Sequence, residues 1–199
     1  MARVQAVVFD LGAVLLGFDY HLWADKVAPH CRPGLDLLAL VAEYDREYDA
    51  ERGYVEFDHF YRWMQQQAGL VMDLPAFTAA WDDIFWRQEE VISLVPQVRV
   101  PQRLLLSNTN PSHVRWLRKQ FGDVLALFDR LFLSCEMHLL KPQVEIYQAV
   151  TTHTGLSPEQ HLFIDDRADN VAGARQAGWQ ALQFTDCQEL REALHRLLA

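Results

Sequence analysis

Four short apolar runs in this chain each stop on a polar side chain, and that pattern constrains the fold more than any other feature. Val4-Gln5-Ala6-Val7-Val8-Phe9 stops at Asp10 and Gly12; Arg103-Leu104-Leu105-Leu106 ends in Ser107-Asn108. Leu131-Phe132-Leu133 ends in Ser134, and His161-Leu162-Phe163-Ile164 ends in Asp165-Asp166. Runs of this length and composition read as buried strands. The segments between them carry helix signals. Asn110-Pro111 offers an N-cap followed by Pro at the first helical position, Ser157-Pro158-Glu159-Gln160 joins Pro to a capping box, and Asp169 to Ala177 closes on Gly178. Strands alternating with helices predict an α/β fold, a Rossmann-like parallel sheet with helices on both faces, whose polar strand ends converge on one crevice.

Between about Tyr20 and Val95 the alternation breaks. Aromatic and aliphatic residues recur there at helical spacing, as in Phe57, Phe60, Tyr61 and Met64. This stretch predicts an all-helical cap inserted after the first strand, punctuated by Gly53, by Gly69 with Pro75, and by Pro96. The expected division is a core of residues 1–17 and 96–199 and a cap of residues 18–95.

A length of 199 residues, half of them hydrophobic, suits one core domain with a modest insertion. The formal net charge of −9 argues against nucleic acid as a partner, since such binders cluster Lys and Arg against phosphates. Cys31, Cys135 and Cys187 are odd in number and widely spaced, so neither a disulfide framework nor a thiolate zinc site is indicated. His113, His138, His153 and His161 show no metal-ligand spacing and read as surface or structural residues. The first strand follows Met1 too closely, and is too short, for a secretory segment, and no apolar run approaches the roughly 20 residues of a membrane span. A cytoplasmic protein, a monomer or weak homodimer, is expected.

Four separated segments resemble the haloacid dehalogenase superfamily, in that family's order and across nearly the whole chain. They are Val7-Val8-Phe9-Asp10-Leu11-Gly12-Ala13-Val14-Leu15, Leu106-Ser107-Asn108, Lys141-Pro142 with Ile146-Tyr147 following, and Phe163-Ile164-Asp165-Asp166-Arg167-Ala168-Asp169-Asn170. Taken alone, each has an ordinary reading: an Asp after a strand is usually a turn or cap, and Ser-Asn is usually an N-cap. The resemblance implies that Asp10 is a carboxylate nucleophile. It also implies a magnesium site made by Asp10, the Gly12 carbonyl and Asp166, with Asp165 on a coordinated water. By the same likeness Lys141 would face both Asp10 and the transferring phosphoryl group, Ser107 and Asn108 would hold phosphate oxygens, and Asn170 would orient the shell. True dehalogenases of this superfamily act on carbon without a metal and carry neutral residues where Asp165-Asp166 stand here, so the acidic pair favours a phosphatase.

The chain departs from the phosphatase pattern at Gly12, where most members carry a second Asp acting as general acid. A positioned acid contributes roughly a hundred- to ten-thousand-fold, so its loss should hurt least with good leaving groups. The expected activity is therefore magnesium-dependent hydrolysis of a small phosphorylated metabolite, plausibly a sugar 1-phosphate. The alternatives are a non-catalytic binding or regulatory protein on the same fold, or a phosphotransferase. Cap residues that could face the crevice include Phe18, Asp19, Tyr44, Arg52, Gly53, Trp81 and Arg87, with Arg52 preferred for substrate contact and core packing expected of the aromatics.

Overall fold

The computed structural model describes residues 3–198. In chain order its strands are β1 (Ala6–Phe9), β2 (Leu16–Phe18), β3 (Phe85–Arg87), β4 (Gln102–Ser107), β5 (Arg130–Leu133), β6 (His161–Asp165) and β7 (Gln180–Gln183). The helices are α1 (Tyr20–Val27), α2 (Leu37–Tyr48), α3 (Phe57–Ala68), α4 (Leu74–Asp82), α5 (Glu89–Ile92), α6 (Pro111–Gln120), α7 (Gly122–Leu125), α8 (Ser134–Met137), α9 (Val144–Thr154), α10 (Ala168–Gln176) and α11 (Cys187–Leu198).

Five strands form one parallel sheet in the order β5-β4-β1-β6-β7. The chain winds outward from β1 through β4 to β5, then returns to the other side of β1 for β6 and β7, so the winding reverses at β1. In open α/β sheets that reversal opens the ligand crevice beyond the strands' C-terminal ends. Register brings the polar ends together, because Phe9 pairs with both Leu105 and Ile164 and the residues that follow are therefore neighbours.

Alternate residues of each strand face opposite layers. Val7, Phe9, Leu105 and Ile164 pack in one apolar cluster with Val91, Val95, Val124 and Leu190. Ala6, Val8, Leu104, Leu106 and Phe163 pack in the other with Ile146, Tyr147, Val171 and Trp179. The predicted Rossmann-like sheet with helices on both faces is the observed one.

The cap helices α1 to α4 have a cluster of their own, centred on Trp23, Phe60, Met64, Phe77 and Trp81. Their starts follow ordinary capping: Asp36 accepts the Ala39 N–H and Asp73 the Ala76 N–H, at 3.0 and 2.8 Å. The insertion is not wholly helical. Where the chain leaves and re-enters the core, β2 and β3 pair antiparallel, with Gly17 opposite Trp86. A Cβ at Gly17 would lie 2.2 Å from the Trp86 ring, so any larger residue there would push that half-exposed ring aside. Two three-residue strands are too short to reveal a period of two in sequence. Residues 89–98 lay within or beside the expected cap, yet Val91, Ile92, Leu94, Val95 and Val98 pack against the sheet.

Strand β7 had no sequence signal. Its Gln-Ala-Leu-Gln is an edge strand without β-branched residues, placed by its pairing with β6. The Ser157 capping box is present but opens only a single 3-10 turn, Pro158–Gln160. The buried histidines are structural: His113 bonds Asn110 and the Trp81 carbonyl, and His161 stacks on Trp179 with centroids 4.5 Å apart. The three cysteines are unpaired. Among the described residues, no helix is long and apolar enough to cross a membrane.

Candidate active site

Asp10 follows β1 and is almost fully buried, with its Oδ1 accepting the Leu11 N–H at 2.7 Å and lying 2.8 Å from the Lys141 Nζ. The buried Lys141 ammonium also donates to Asp165 Oδ2 at 2.7 Å and to the Leu106 carbonyl at 3.1 Å, so all three of its donors have protein acceptors. Lys141 precedes α9 by three residues, and its backbone is clamped by Asn108, whose amide bonds both the Lys141 N–H and carbonyl at 3.0 Å. The side chain of Asn108 is thus committed to placing the lysine. Ser107 is buried at the end of β4 and donates only a long bond, 3.3 Å, to the Asn108 carbonyl.

Asp165 is wholly buried. Both its oxygens accept from Asn170 Nδ2 at 3.0 Å, and Oδ1 also takes the Arg167 N–H at 2.9 Å. With these donors and Lys141 satisfied, Asp165 anchors the cluster from behind, leaving Asp10 and the half-buried Asp166 closer to solvent. Oxygens of Asp10, Asp165 and Asp166 lie within 4.8 Å of one another.

The charges do not balance, since three carboxylates share one ammonium. Burial pushes the Asp10 carboxyl up to about 7, against the pull of Lys141 and with the repulsion of Asp165. Asp166 is raised by burial and by Asp165. Burial alone would lower Lys141, but Asp10 and Asp165 outweigh it and hold the ammonium charged. A cluster of hard oxygen donors with surplus negative charge fits a divalent cation such as magnesium.

These residues open into a crevice of about 450 Å³ shared by Asp10, Gly12, Ser107, Lys141, Asp166 and Asn170. Phe18 closes one side, next to Gly12. A Cβ there would stand 3.0 Å from the edge of the Phe18 ring, a tight contact that the partly exposed ring would relieve by a small shift.

Two acids from the cap, Asp45 on α2 and Glu51 in the loop after it, also line this crevice. Sequence reasoning missed both, because acids are not expected beside a phosphate. The half-buried Glu51 is raised to about 7 by burial first, then by Asp45 and Asp10, with Lys141 and Arg167 opposing.

Of the other cap candidates, Arg52 does not reach the crevice. Its guanidinium donates to the His138 carbonyl at 2.8 Å and to Gln143 Oε1 at 2.7 Å, and pairs with Asp49 at 3.3 Å, which makes it a strut between cap and core. Asp19 caps α1, and Arg87 pairs with Glu89 and Asp123. Tyr44 and Trp81 sit in the cap cluster, as expected of the aromatics.

The Glu51 loop is latched to α8. Ser134 Oγ donates to the Glu51 carbonyl at 2.6 Å, His138 Nδ1 lies 2.7 Å from the Arg52 carbonyl, and Tyr54 stacks on His138. Gly53 has φ +72°, and a Cβ on it would meet the Cys135 carbonyl at 2.3 Å. Gly53→Ala should therefore spring the latch, with a left-handed cost of about 1–2 kcal/mol and a melting temperature lower by about 5 °C. An unchanged melt and unchanged protease resistance of the loop would contradict this.

The sheet order, the site at the strand ends and the capping insertion define a doubly wound α/β protein with a carboxylate cluster at its crevice. Residues 4–178 match the haloacid dehalogenase-like hydrolases, and the chain belongs to that family. It is 27% identical over 194 residues to the sesquiterpene phosphatase astK of Aspergillus oryzae, covering 94% of this chain and 95% of that protein. It is 24% identical over 213 residues to the D-ribitol-5-phosphate phosphatase of Bacteroides thetaiotaomicron, covering 98% of each. Its fold matches, with a TM-score of 0.77 and 24% identity over 94% of this chain and 98% of the other, a haloacid dehalogenase family enzyme of B. thetaiotaomicron solved with magnesium and inorganic phosphate.

Proposed function

We propose that this protein is a magnesium-dependent phosphomonoester hydrolase acting through an aspartyl phosphate on Asp10. The observation that carries this reading is the buried Asp10–Lys141–Asp165 cluster with Asp166 beside it, at the C-terminal edge of the sheet and open to the crevice. Two relatives named as phosphatases, each aligned over nearly the whole chain, support it. Asp10, Asp166 and the Gly12 carbonyl would hold the cation, with Asp165 steadying the arrangement. When bound, magnesium would offset the repulsion between Asp10 and an incoming phosphate and spread positive charge over the phosphoryl oxygens.

A free oxygen of Asp10 attacks phosphorus while the bond from phosphorus to the ester oxygen breaks, and that oxygen takes a proton as it leaves. Lys141 and the Leu11 N–H fix the carboxylate's orientation, and Ser107 offers its hydroxyl to the phosphoryl group. Water then attacks the phosphorus of the aspartyl phosphate, the bond to Asp10 breaks, and phosphate departs.

With Gly12 where most members carry a second Asp, the proton donor has to come from elsewhere, and Glu51 is our candidate. It faces the crevice among Asp45, Tyr20, Asp10, Lys141 and Arg167, and near neutral pH a substantial fraction of it is protonated. Returning as a carboxylate, it can take the proton of the attacking water and so reset itself. Gly12 alone favours good leaving groups, anomeric sugar phosphates among them; Glu51 relaxes that demand.

For alkyl phosphates, kcat/KM should fall above pH about 7, as Glu51 loses its proton. Glu51→Gln should cost roughly a hundred- to ten-thousand-fold on these substrates, far less on p-nitrophenyl phosphate, and should remove that basic limb. An equal loss on both substrates would exclude the role. The same group ties stability to pH. Its folded pKa is raised, so its stabilising contribution is complete below the ordinary 4.5 and is lost as pH rises through about 7.

The reading as a whole is tested by phosphate release from p-nitrophenyl phosphate and a set of small phosphate esters, with magnesium and with EDTA. Turnover only with magnesium is expected. No turnover on any ester, with phosphate binding retained, would move the assignment to a binding protein.

A further inference from the structure

A second cavity, of about 340 Å³, lies between the cap helices and the start of α6. Its walls are mainly Tyr20, Val41, Val55, Phe57, Phe60 and Trp81. Asp45 and Glu51 border both this cavity and the phosphate crevice, so the two spaces are neighbours on either side of those acids. A substituent on a phosphate held in the crevice would have this cavity within reach, past Asp45 and Glu51.

Three of the polar side chains along the cavity are bonded to residues behind its walls, while Glu56 and the Tyr20 hydroxyl stand at its lining and Asp45 and Glu51 at its border with the crevice. The Tyr44 hydroxyl bonds His59 Nδ1 at 2.9 Å, the Ser112 hydroxyl donates to Asp82 at 3.0 Å, and the Asn110 amide bonds the His113 ring and backbone. A sugar ring placed there would lose water from several hydroxyls against a mostly apolar wall. A hydrocarbon loses nothing of the kind and gains contact with six aromatic or aliphatic side chains.

We propose that this cavity holds the leaving-group half of the substrate and that this half is predominantly hydrocarbon: an apolar alcohol or phenol carried as its monophosphate. At about 30 Å³ per water-sized portion of liquid, the space takes on the order of ten non-hydrogen atoms. The assignment rests on the phosphatase reading and narrows it to a substrate class. It departs from the sugar 1-phosphate expected from Gly12, because Val41, Val55, Phe57, Phe60 and Trp81 make most of the wall apolar.

The test is a series of n-alkyl phosphates from ethyl to dodecyl, with glucose 1-phosphate and p-nitrophenyl phosphate alongside, scored by kcat/KM in magnesium. Each added methylene should raise kcat/KM about threefold to fourfold until the cavity is full, with a plateau near ten carbons. Val41→Phe and Val55→Phe, which narrow the cavity from different elements, should each lower the ratio of octyl to ethyl phosphate by tenfold or more. A flat series, or glucose 1-phosphate outrunning octyl phosphate, would overturn the proposal. Binding of the matching alkylphosphonates, followed by calorimetry, separates the two readings. If p-nitrophenyl phosphate is not hydrolysed yet phosphonates bind more tightly as the chain lengthens, the phosphatase reading fails and the cavity assignment stands; length-independent binding sinks the cavity assignment.

Discussion

Asp10→Asn is expected to lower phosphate release by about four to six orders of magnitude, on every substrate alike. Asparagine keeps the shape that accepts the Leu11 N–H, but an amide oxygen cannot carry the phosphoryl group through the cycle. The substitution also removes a carboxylate that burial and the neighbouring Asp165 disfavour as an anion, against the pull of Lys141. The variant should therefore melt no lower than the wild type in the absence of metal, which separates chemistry from folding. Trapping with radiolabelled phosphate ester and acid quench should show an alkali-labile phosphoprotein for the wild type and none for the variant. Residual turnover within a hundredfold of wild type would mean that another group attacks phosphorus.

The second large effect is on stability. Lys141→Met should cost about 3–5 kcal/mol, because it leaves Asp10 and Asp165 buried without their shared cation. For a chain of this size that corresponds to a melting temperature lower by about 10 °C. Raising the pH should deepen the loss, since Asp10, raised by burial, must then ionise without the lysine beside it, and magnesium should restore part of it by supplying positive charge at the same place. An unaltered melt at pH 8 without magnesium would show that Asp10 and Asp165 do not depend on the ammonium. Activity should be lost as well, with or without the recovered stability.

The same cluster shows how much of this site could be read from residue order. Asp10, Ser107, Asp165 and Asp166 each follow a run of buried apolar residues, and a parallel sheet carries every such strand end to one edge. Lys141 and Asn170 come from a turn and a helix, yet each belongs to a segment whose likeness to the family marked it. The strand ends therefore located the crevice before any coordinate did. The cap is a different case. Its aromatic spacing announced helices and a core, but helical periodicity says which face is buried and nothing about what the opposite loop touches.

Arg52 illustrates the limit. An arginine beside a glycine in a cap loop has the right chemistry for phosphate, and only the meeting of that loop with His138 and Gln143 turns it into a strut. Its neighbour Glu51, chemically the less obvious partner for an anion, is the one that faces the crevice. Phe18 and Gly12 are six residues apart, and nothing in that spacing reveals that the ring lies against the glycine.

Local order in the chain therefore determined the parallel α/β core, the edge at which chemistry gathers and the carboxylates and lysine assembled there. These follow from the apolar runs and the polar residues that end them, a local pattern that any parallel pairing of the strands carries to one edge. Tertiary structure alone decided which cap residues look into the crevice, that Phe18 lies against Gly12, and that an apolar cavity adjoins the crevice. Those features arise where segments distant in sequence pack together, and their contacts are set by the three-dimensional closure of cap on core.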